Sequence, residues 1–334
     1  MQDSTTAALH RLRQLDVPNP FGSPIYYIES TTSTMDEARR LAAAYDTALA
    51  SQRSEAPYSL STLGLHRQIQ GSQENQENRE SASKEPRAHQ QEDSSQQGQG
   101  GLRDTAGCSQ PGIHGTVVMA DVQTAGRGRA AGRRWVAAAG ESLLCTLILQ
   151  YPTIQAIPAA LPLRLGVALT LSIEALWPEL AGRTRVKWPN DVFIDGKKAA
   201  GILCEGDGRY VYAGIGVNLN QKNFPAELAH RGTSIVLALH QRTPPPDRAA
   251  LLISLLTHCK ALLQTGPGNT DWHRELEQRL YKRGEPVRFL AGSVDDPTCI
   301  EGFLEGVSET GELRIQDPES GAIRTFVTGE LDVY

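Results

Sequence analysis

The 334-residue sequence is poor in aromatic residues, which make up 6% of it, and in cysteine, of which there are 5. The cysteines are odd in number and widely spaced, with neither a Cys-x-x-Cys pair nor metal-ligand spacing. A disulfide framework and a thiolate metal site are thereby excluded, and free thiols of a reducing compartment are expected. Cys145, Cys204 and Cys299 fall in apolar, strand-like runs and are expected to be buried. An excess of positive charge is also missing: the formal net charge is −5 and the pI is about 5.9. A general nucleic-acid binder would be basic. The N-terminus lacks the basic-then-apolar pattern of a signal peptide, and no apolar run reads as long enough to span a membrane. Together these absences predict a cytoplasmic protein of about two domains with no membrane association. Large apolar residues are missing from one long stretch: between Arg67 and Gly100 almost every residue is Gln, Ser, Glu, Asn, Arg or Gly, and Ile69 is the lone large apolar residue. Such a segment cannot bury enough surface to offset its ordering entropy, so residues 51–112 are expected to be a disordered low-complexity insertion.

Positive charge is instead concentrated. Gly126 to Trp135 holds four arginines and three glycines within ten residues. Glycine lets the backbone approach a ligand closely, and the guanidinium fork suits phosphate and carboxylate. The stretch reads as a cationic flap able to fold over a small anion, or as a basic surface loop. It is not a Walker A loop, because the Gly-Lys-Ser/Thr ending is absent.

In chain order, residues 1–22 read as an arm with a helical turn around Ala7 to Leu15. Pro24 to Ile28 reads as a strand. Thr34 with Glu37 three residues on is a capping-box pattern that starts a helix through about Ala44. Gly115–Asp121 and Glu141–Gln150 read as strands, and Ala159–Trp177 as a helix with Pro162 in its first turn. Lys187 sits at the end of a short strand that Pro189 interrupts; Asn190 and Asp191 then offer an amide and a carboxylate at a turn. Lys198–Glu205 and Tyr210–Leu219 are further strands. Their Gly201, Gly214 and Gly216 suggest a ligand lying against the sheet, or else bulges and tight packing, with Asn218 on the face of Gly214 and Gly216. Arg248–Leu263 and Asp271–Tyr281 read as helices, and residues 284–334 as short strands forming a small SH3-type β-barrel.

Taken together, five ordered pieces resemble the biotin–protein ligases: Ser33-Thr34 before a helix, Gln123-Thr124-Ala125-Gly126-Arg127-Gly128-Arg129, Lys187-Trp188-Pro189-Asn190-Asp191, Gly201 to Glu205, and Gly214 to Asn218. The resemblance covers about 23–50 and 113–334. It implies an α+β fold: a mixed, mostly antiparallel sheet flanked by helices in a class II synthetase-like catalytic domain, 23–283, followed by an SH3-like barrel, 284–334. It implies ATP-dependent activation of biotin to biotinyl-5′-AMP, with Mg²⁺, and transfer to a lysine of a biotin carboxyl carrier domain in a biotin-dependent carboxylase or decarboxylase. Lys187 and Arg127 would be catalytic. Ser33, Thr34, Gln123, Arg127, Gly128, Arg129, Lys187 and Gly201 would hold biotin. Arg133, Trp135, Asn190 and Asn218 would serve the nucleotide, with Asp191 as a possible metal ligand. Removing Arg127 would let the adenylate leak. The sequence departs from the family pattern at Met35, where Asn is common, at Ala130-Ala131, where one residue is added, and in the long insertion. A winged helix carried by transcription-repressing members is not seen, so a monofunctional enzyme without specific DNA binding is expected; oligomers remain compatible. A lipoate or octanoate ligase of the same fold, and a nucleotide- or RNA-binding regulator, are the alternatives.

Overall fold

In a computed structural model the described residues are 11–55, 112–129, 132, 134–135, 137–240, 247–264, 271–293 and 296–332. The architecture concerns the unit formed by Met1–Ala50 and Pro111–Tyr334. Of the other unit, Ser51–Gln110, only the five residues 51–55 are described; the expected disorder of the insertion otherwise lies outside the described residues.

The elements in order are β1 (Arg13–Leu15), β2 (Ile25–Thr31), α1 (Thr34–Glu55), β3 (Val117–Gln123), β4 (Gly126–Arg127), β5 (Arg134–Trp135), β6 (Ser142–Gln150) and α2 (Leu161–Leu176). Then come β7 (Thr184–Lys187), β8 (Asp191–Ile194), β9 (Lys197–Gly206), β10 (Tyr210–Asn218), α3 (Ile235–Ala238), α4 (Arg248–Leu263) and α5 (Asp271–Arg279). The C-terminal strands are β11 (Pro286–Ser293), β12 (Asp296–Val307), β13 (Leu313–Gln316), β14 (Ile323–Phe326) and β15 (Gly329–Asp332). An eight-stranded sheet runs β1-β2-β3-β6-β10-β9-β8-β7. Only β2 and β3 pair parallel, across the excursion through α1; the other neighbours are antiparallel. A mixed, mostly antiparallel sheet flanked by helices is therefore present as expected.

Period-two alternation builds the layers. Val117, Met119, Leu147, Leu149, Val211 and Ala213 join one core with residues of α2, α4 and α5. Their neighbours Val118, Ile148 and Tyr212 point the other way and pack with Met35, Ala38 and Ala42 of α1. On that second face α1 covers Tyr210 and Tyr212, whereas farther along β10 the same face carries Gly214, Gly216 and Asn218. Bulky residues under the helix give way to glycines beyond it, which leaves a hollow beside α1.

Helix α2 begins after Ala160 with Pro162 in its first turn and ends where the Trp177 N–H bonds Ile173 O. Between the sheet and α4 it is apolar on nearly every side. The segment Ile154–Leu176 is thus long and apolar enough to cross a membrane by length and hydropathy, contrary to the sequence expectation, but it is 67% buried inside the protein.

The C-terminal residues form a five-stranded antiparallel sheet in the order β14-β13-β12-β11-β15. It packs on the larger sheet through Trp188. The indole N–H donates to Gly311 O at 3.0 Å, and its ring meets Phe289 edge-on at 5.8 Å.

Several expectations are corrected. The arm segment 13–15 is a strand, because it completes the free edge of β2, with Arg13 over the Tyr27 ring. Helix α1 runs to Glu55, into the stretch assigned to the insertion. Its cap is Ser33 rather than Thr34: the Ser33 hydroxyl accepts from Met35 N, and Asp36 N and Glu37 N both bond Ser33 O. The Glu37 carboxylate accepts instead from the Thr31 hydroxyl at 2.7 Å. Cys145 is buried, but Cys204 is half-buried and Cys299 exposed. On β12 the alternation turns Ile300 inward and Cys299 out.

Candidate active site

The hollow beside α1 is a cavity of about 830 Å³, within the roughly 300–1,000 Å³ usual for small-molecule sites. Its floor is the sheet face where side chains vanish. Gly201 of β9 and Gly216 of β10 are register partners, and Asp191 of β8 is the next residue in that row. A methyl group on Gly216 would lie 2.8 Å from the Trp135 indole, and one on Gly214 would lie 3.0 Å from the Met35 methyl. What crowds these two glycines is thus the protein's own side chains, the tight packing that was the alternative to a ligand. Gly216→Ala should displace the indole and cost about 1–3 kcal/mol of stability, as overpacking does. Thermal denaturation with tryptophan fluorescence reads both effects. Gly206→Ala in β9, where the nearest atom lies at an ordinary 3.6 Å, should change neither.

At the α1 end the cavity wall is a fixed polar cluster. The Gln123 side-chain oxygen accepts from Thr34 N at 2.8 Å and from the Thr34 hydroxyl at 3.1 Å. That hydroxyl is also 2.8 Å from the Thr146 hydroxyl. These bonds explain why Thr34 is not the helix cap: its side chain has tertiary partners. Ser33, Thr34 and Gln123 all line the cavity.

The arginine stretch folds back on itself. β4 and β5 pair, Gly126 with Trp135 and Arg127 with Arg134, forming a two-stranded ribbon over the hollow. Its base is held by Thr124 N to Thr31 O and Ala125 N to Thr32 O. Arg127 makes a two-pronged pair with Asp36 of α1, at 2.8 and 3.2 Å. That carboxylate raises the guanidinium pKa. Arg129 reaches across the cavity mouth, donating to Asn190 Oδ1 at 3.3 Å and to the carbonyl of Gly329 at 2.8 Å. Gly128 lines the cavity between them; Arg133 lies outside the described residues.

The β7–β8 turn supplies the opposite wall. Lys187, the last residue of β7, is 4% exposed, and its ammonium lies 5.7 Å from the Phe193 ring centroid. Trp188-Pro189 is a cis peptide. Asn190 Nδ2 donates to Ile202 O at 2.6 Å and Ile202 N to Asn190 O at 2.9 Å, pinning the turn to β9. Asp191 pairs with Lys198 at 2.8 Å.

The structure therefore brings every described candidate to one cavity: Ser33, Thr34, Gln123, Arg127, Gly128 and Arg129 on one side. Trp135, Lys187, Asn190, Asp191, Gly201 and Asn218 complete it. Sequence reasoning did not single out Thr146, Glu141, Lys198, Gln221 or the stretch from Thr328 into β15, which also line it. Gln221, three residues past Asn218, and Lys198, three before Gly201, carried only the weak signal of standing beside a motif. Among the described residues no group of three or more His, Cys, Asp or Glu could hold a metal ion.

Comparison with known proteins agrees with this geometry. A model of the Biotin/lipoate A/B protein ligase family matches residues 109–220. A Biotin–[acetyl-CoA-carboxylase] ligase of Paracoccus denitrificans is 34% identical over 223 residues, 62% of this chain and 87% of that protein. Its Mycobacterium tuberculosis counterpart is 32% identical over 206 residues, 60% of this chain and 73% of that one. The Bacillus subtilis bifunctional ligase/repressor BirA is 40% identical over 150 residues, 42% of this chain, which thus spans 44% of that relative's length. Among solved structures, the biotin protein ligase from Aquifex aeolicus in complex with biotin and ATP superposes with a TM-score of 0.56. It shares 28% identity, over 66% of this chain and 88% of that one. With the glycine floor, the arginine ribbon and the strand-end lysine in one cavity, these likenesses establish that the chain belongs to the biotin–protein ligase family.

Proposed function

We propose that the chain activates biotin with ATP to biotinyl-5′-AMP and transfers the biotinyl group to a lysine of a carboxyl carrier domain. The observation that carries this is the convergence of Lys187, Arg127 and Arg129 on one cavity whose far end is the Ser33–Thr34–Gln123 cluster. The difficulty of the first step is electrostatic, because two anions must meet. A carboxylate is ionised at neutral pH, so no general base is needed. One biotin carboxylate oxygen forms a bond to the α-phosphorus; the bond from that phosphorus to the bridging oxygen breaks, and pyrophosphate leaves with its electron pair. Fixed cations aimed at the equatorial oxygens offset the charge that builds there. Lys187, held by burial at the end of β7, is the group for this; Arg127 and Arg129 line the same cavity.

Mg²⁺ would be held by phosphate oxygens together with one or two of the cavity carboxylates, Glu141 and Asp191 among them, and would supply charge neutralisation. That donor set fits an ion that arrives with its nucleotide better than a dedicated protein cage.

In the second step the acceptor lysine amine attacks the acyl carbon of the mixed anhydride. AMP departs, and the amine loses a proton. Water must be kept off meanwhile, and the arginine ribbon over the cavity serves that purpose. Ser33, Thr34, Gln123 and Gly201 are assigned to biotin, and Trp135, Asn190 and Asn218 to the nucleotide. We read the five-stranded C-terminal sheet as the family's SH3-like barrel, supported by the shared core of Phe289, Leu304, Leu313 and Ile315. The cytoplasm is the compartment, consistent with free Cys145, Cys204, Cys259 and Cys299.

The decisive experiment mixes the protein with biotin, Mg-ATP and a carboxyl carrier domain and weighs the acceptor. A gain of one biotinyl group that requires ATP is expected. No gain with biotin, but a gain with lipoate, would move the assignment to the lipoyl branch.

A further inference from the structure

We propose that Gln221 reads the base of the nucleotide, selecting a purine that carries an amino group at position 6. The inference rests on the ligase reading above and adds a specificity residue to it. Gln221 follows β10, is 4% exposed and lines the main cavity.

The orientation of its side-chain amide is dictated by a chain of partners that starts at the backbone. The Thr233 carbonyl can only accept, so Asn218 must turn Nδ2 toward it, at 3.1 Å. That leaves Asn218 Oδ1 facing Gln221. This oxygen also only accepts, so Gln221 must present Nε2 to it, at 3.0 Å. The second hydrogen on Nε2 goes to the Ser142 hydroxyl at 2.6 Å. A flipped amide would set two oxygens against each other. The backbone is held too, since the Ser234 hydroxyl donates to Gln221 O at 2.6 Å.

With both hydrogens committed, Oε1 is left over. It is buried and has no hydrogen-bond partner. A buried acceptor without a donor is costly and uncommon, and an N–H of a bound ligand would satisfy it.

The position says which ligand. Thr34 meets the sheet at Thr146, and Gln221 meets it at Ser142. These residues are four apart on β6, about 13 Å at the usual strand rise. The polar cluster assigned to biotin and the Gln221 oxygen thus mark opposite ends of the cavity. Near the Gln221 end the surface is flat: the Trp135 indole lies on Gly216, two residues before Asn218. Its Nε1 is a buried donor, likewise without a partner. A planar base suits this wall, and an exocyclic amine supplies the N–H that Oε1 needs. A 6-oxo purine would place a lone pair against a lone pair.

The test measures biotin-dependent pyrophosphate release by the full chain with ATP, inosine triphosphate and purine riboside triphosphate. The last lacks the 6-amino group without added bulk. The wild-type protein should favour ATP over both in kcat/KM by about tenfold or more, the discrimination expected when a buried polar group loses its partner. Gln221→Leu should bring ATP and purine riboside triphosphate to near equality while leaving the KM for biotin unchanged. Equal use of the three nucleotides by the wild type would overturn the proposal, and this arm needs no variant to fold. So would an unaltered preference in a folded Gln221→Leu protein, or a rise in biotin KM instead. Failure of the wild type to release any pyrophosphate with biotin and ATP would overturn the ligase reading, and this proposal with it.

Discussion

Lys187→Ala is expected to slow biotin-dependent pyrophosphate release by about 10²–10³-fold, the usual consequence of deleting one preorganised charge aimed at a developing oxyanion. The group is 4% exposed, so little solvent screens it, and its attraction for a phosphoryl oxygen is far stronger than at a surface. It is also preorganised. β7 ends at Lys187, its register partner is Asp191, and the Asn190 bonds to Ile202 hold the intervening turn against β9. The nearby Asp191 carboxylate pairs with Lys198 at 2.8 Å. Stability should move much less than rate, because removing a charge from a buried site also removes its desolvation cost. Lys187→Arg should not restore activity: the planar fork is larger than the ammonium and cannot enter the same packed position. A pyrophosphate-release assay beside a thermal melt separates the two effects. An unchanged rate in a folded Lys187→Ala protein would remove the main catalytic assignment.

The contrast between what was legible in the sequence and what was not follows from distance along the chain. Lys187, Asn190 and Asp191 could be placed because one short turn fixes all three relative to each other. Asn218 could be placed with Gly214 and Gly216 because strand alternation is local, and the cavity indeed lies on their face. The helices α2 and α4 were visible for the same reason. Positions decided by tertiary partners were not. Thr34 has the composition of a cap, yet Gln123, 89 residues away, takes both its N–H and its hydroxyl. Gly329 has no local chemistry, but its carbonyl closes over the cavity because Trp188 docks the C-terminal sheet there. Gln221 matters through an atom that nothing in the protein satisfies, and no periodicity encodes that. Three glycines in strands suggest a ligand against the sheet, but the groups that crowd them are the Trp135 indole and the Met35 methyl, the tight packing that was the alternative, and only three dimensions could say so.

Arg129→Gly is expected to release biotinyl-AMP before an acceptor docks and so to label bystander lysines. The sequence reading placed this effect at Arg127, but the geometry shifts it. Arg127 ties the ribbon to Asp36 on α1, the side from which the ribbon already springs. Arg127 and Asp36 have side chains 40% and 27% exposed, so solvent weakens their attraction. Arg129 instead spans the opening, joining the ribbon to the β7–β8 turn through Asn190 and to the C-terminal sheet through Gly329. Cutting a tether at the hinge side of a lid leaves it over the site; cutting the one at the far side lets it lift. Adenylate formation should persist, because Lys187 is untouched, whereas retention should fall. Mass spectrometry of an unrelated protein incubated with enzyme, biotin and Mg-ATP reads the leak, and rapid filtration reads the dissociation rate of the adenylate. Arg129→Gly should raise both by about tenfold or more, the factor set by a loss of roughly 1.4 kcal/mol from charge-assisted bonds. Arg127→Gly should raise them less. A reversed order would place the closing contact at Asp36, and tight retention in both variants would mean that something other than the arginine ribbon keeps the anhydride in.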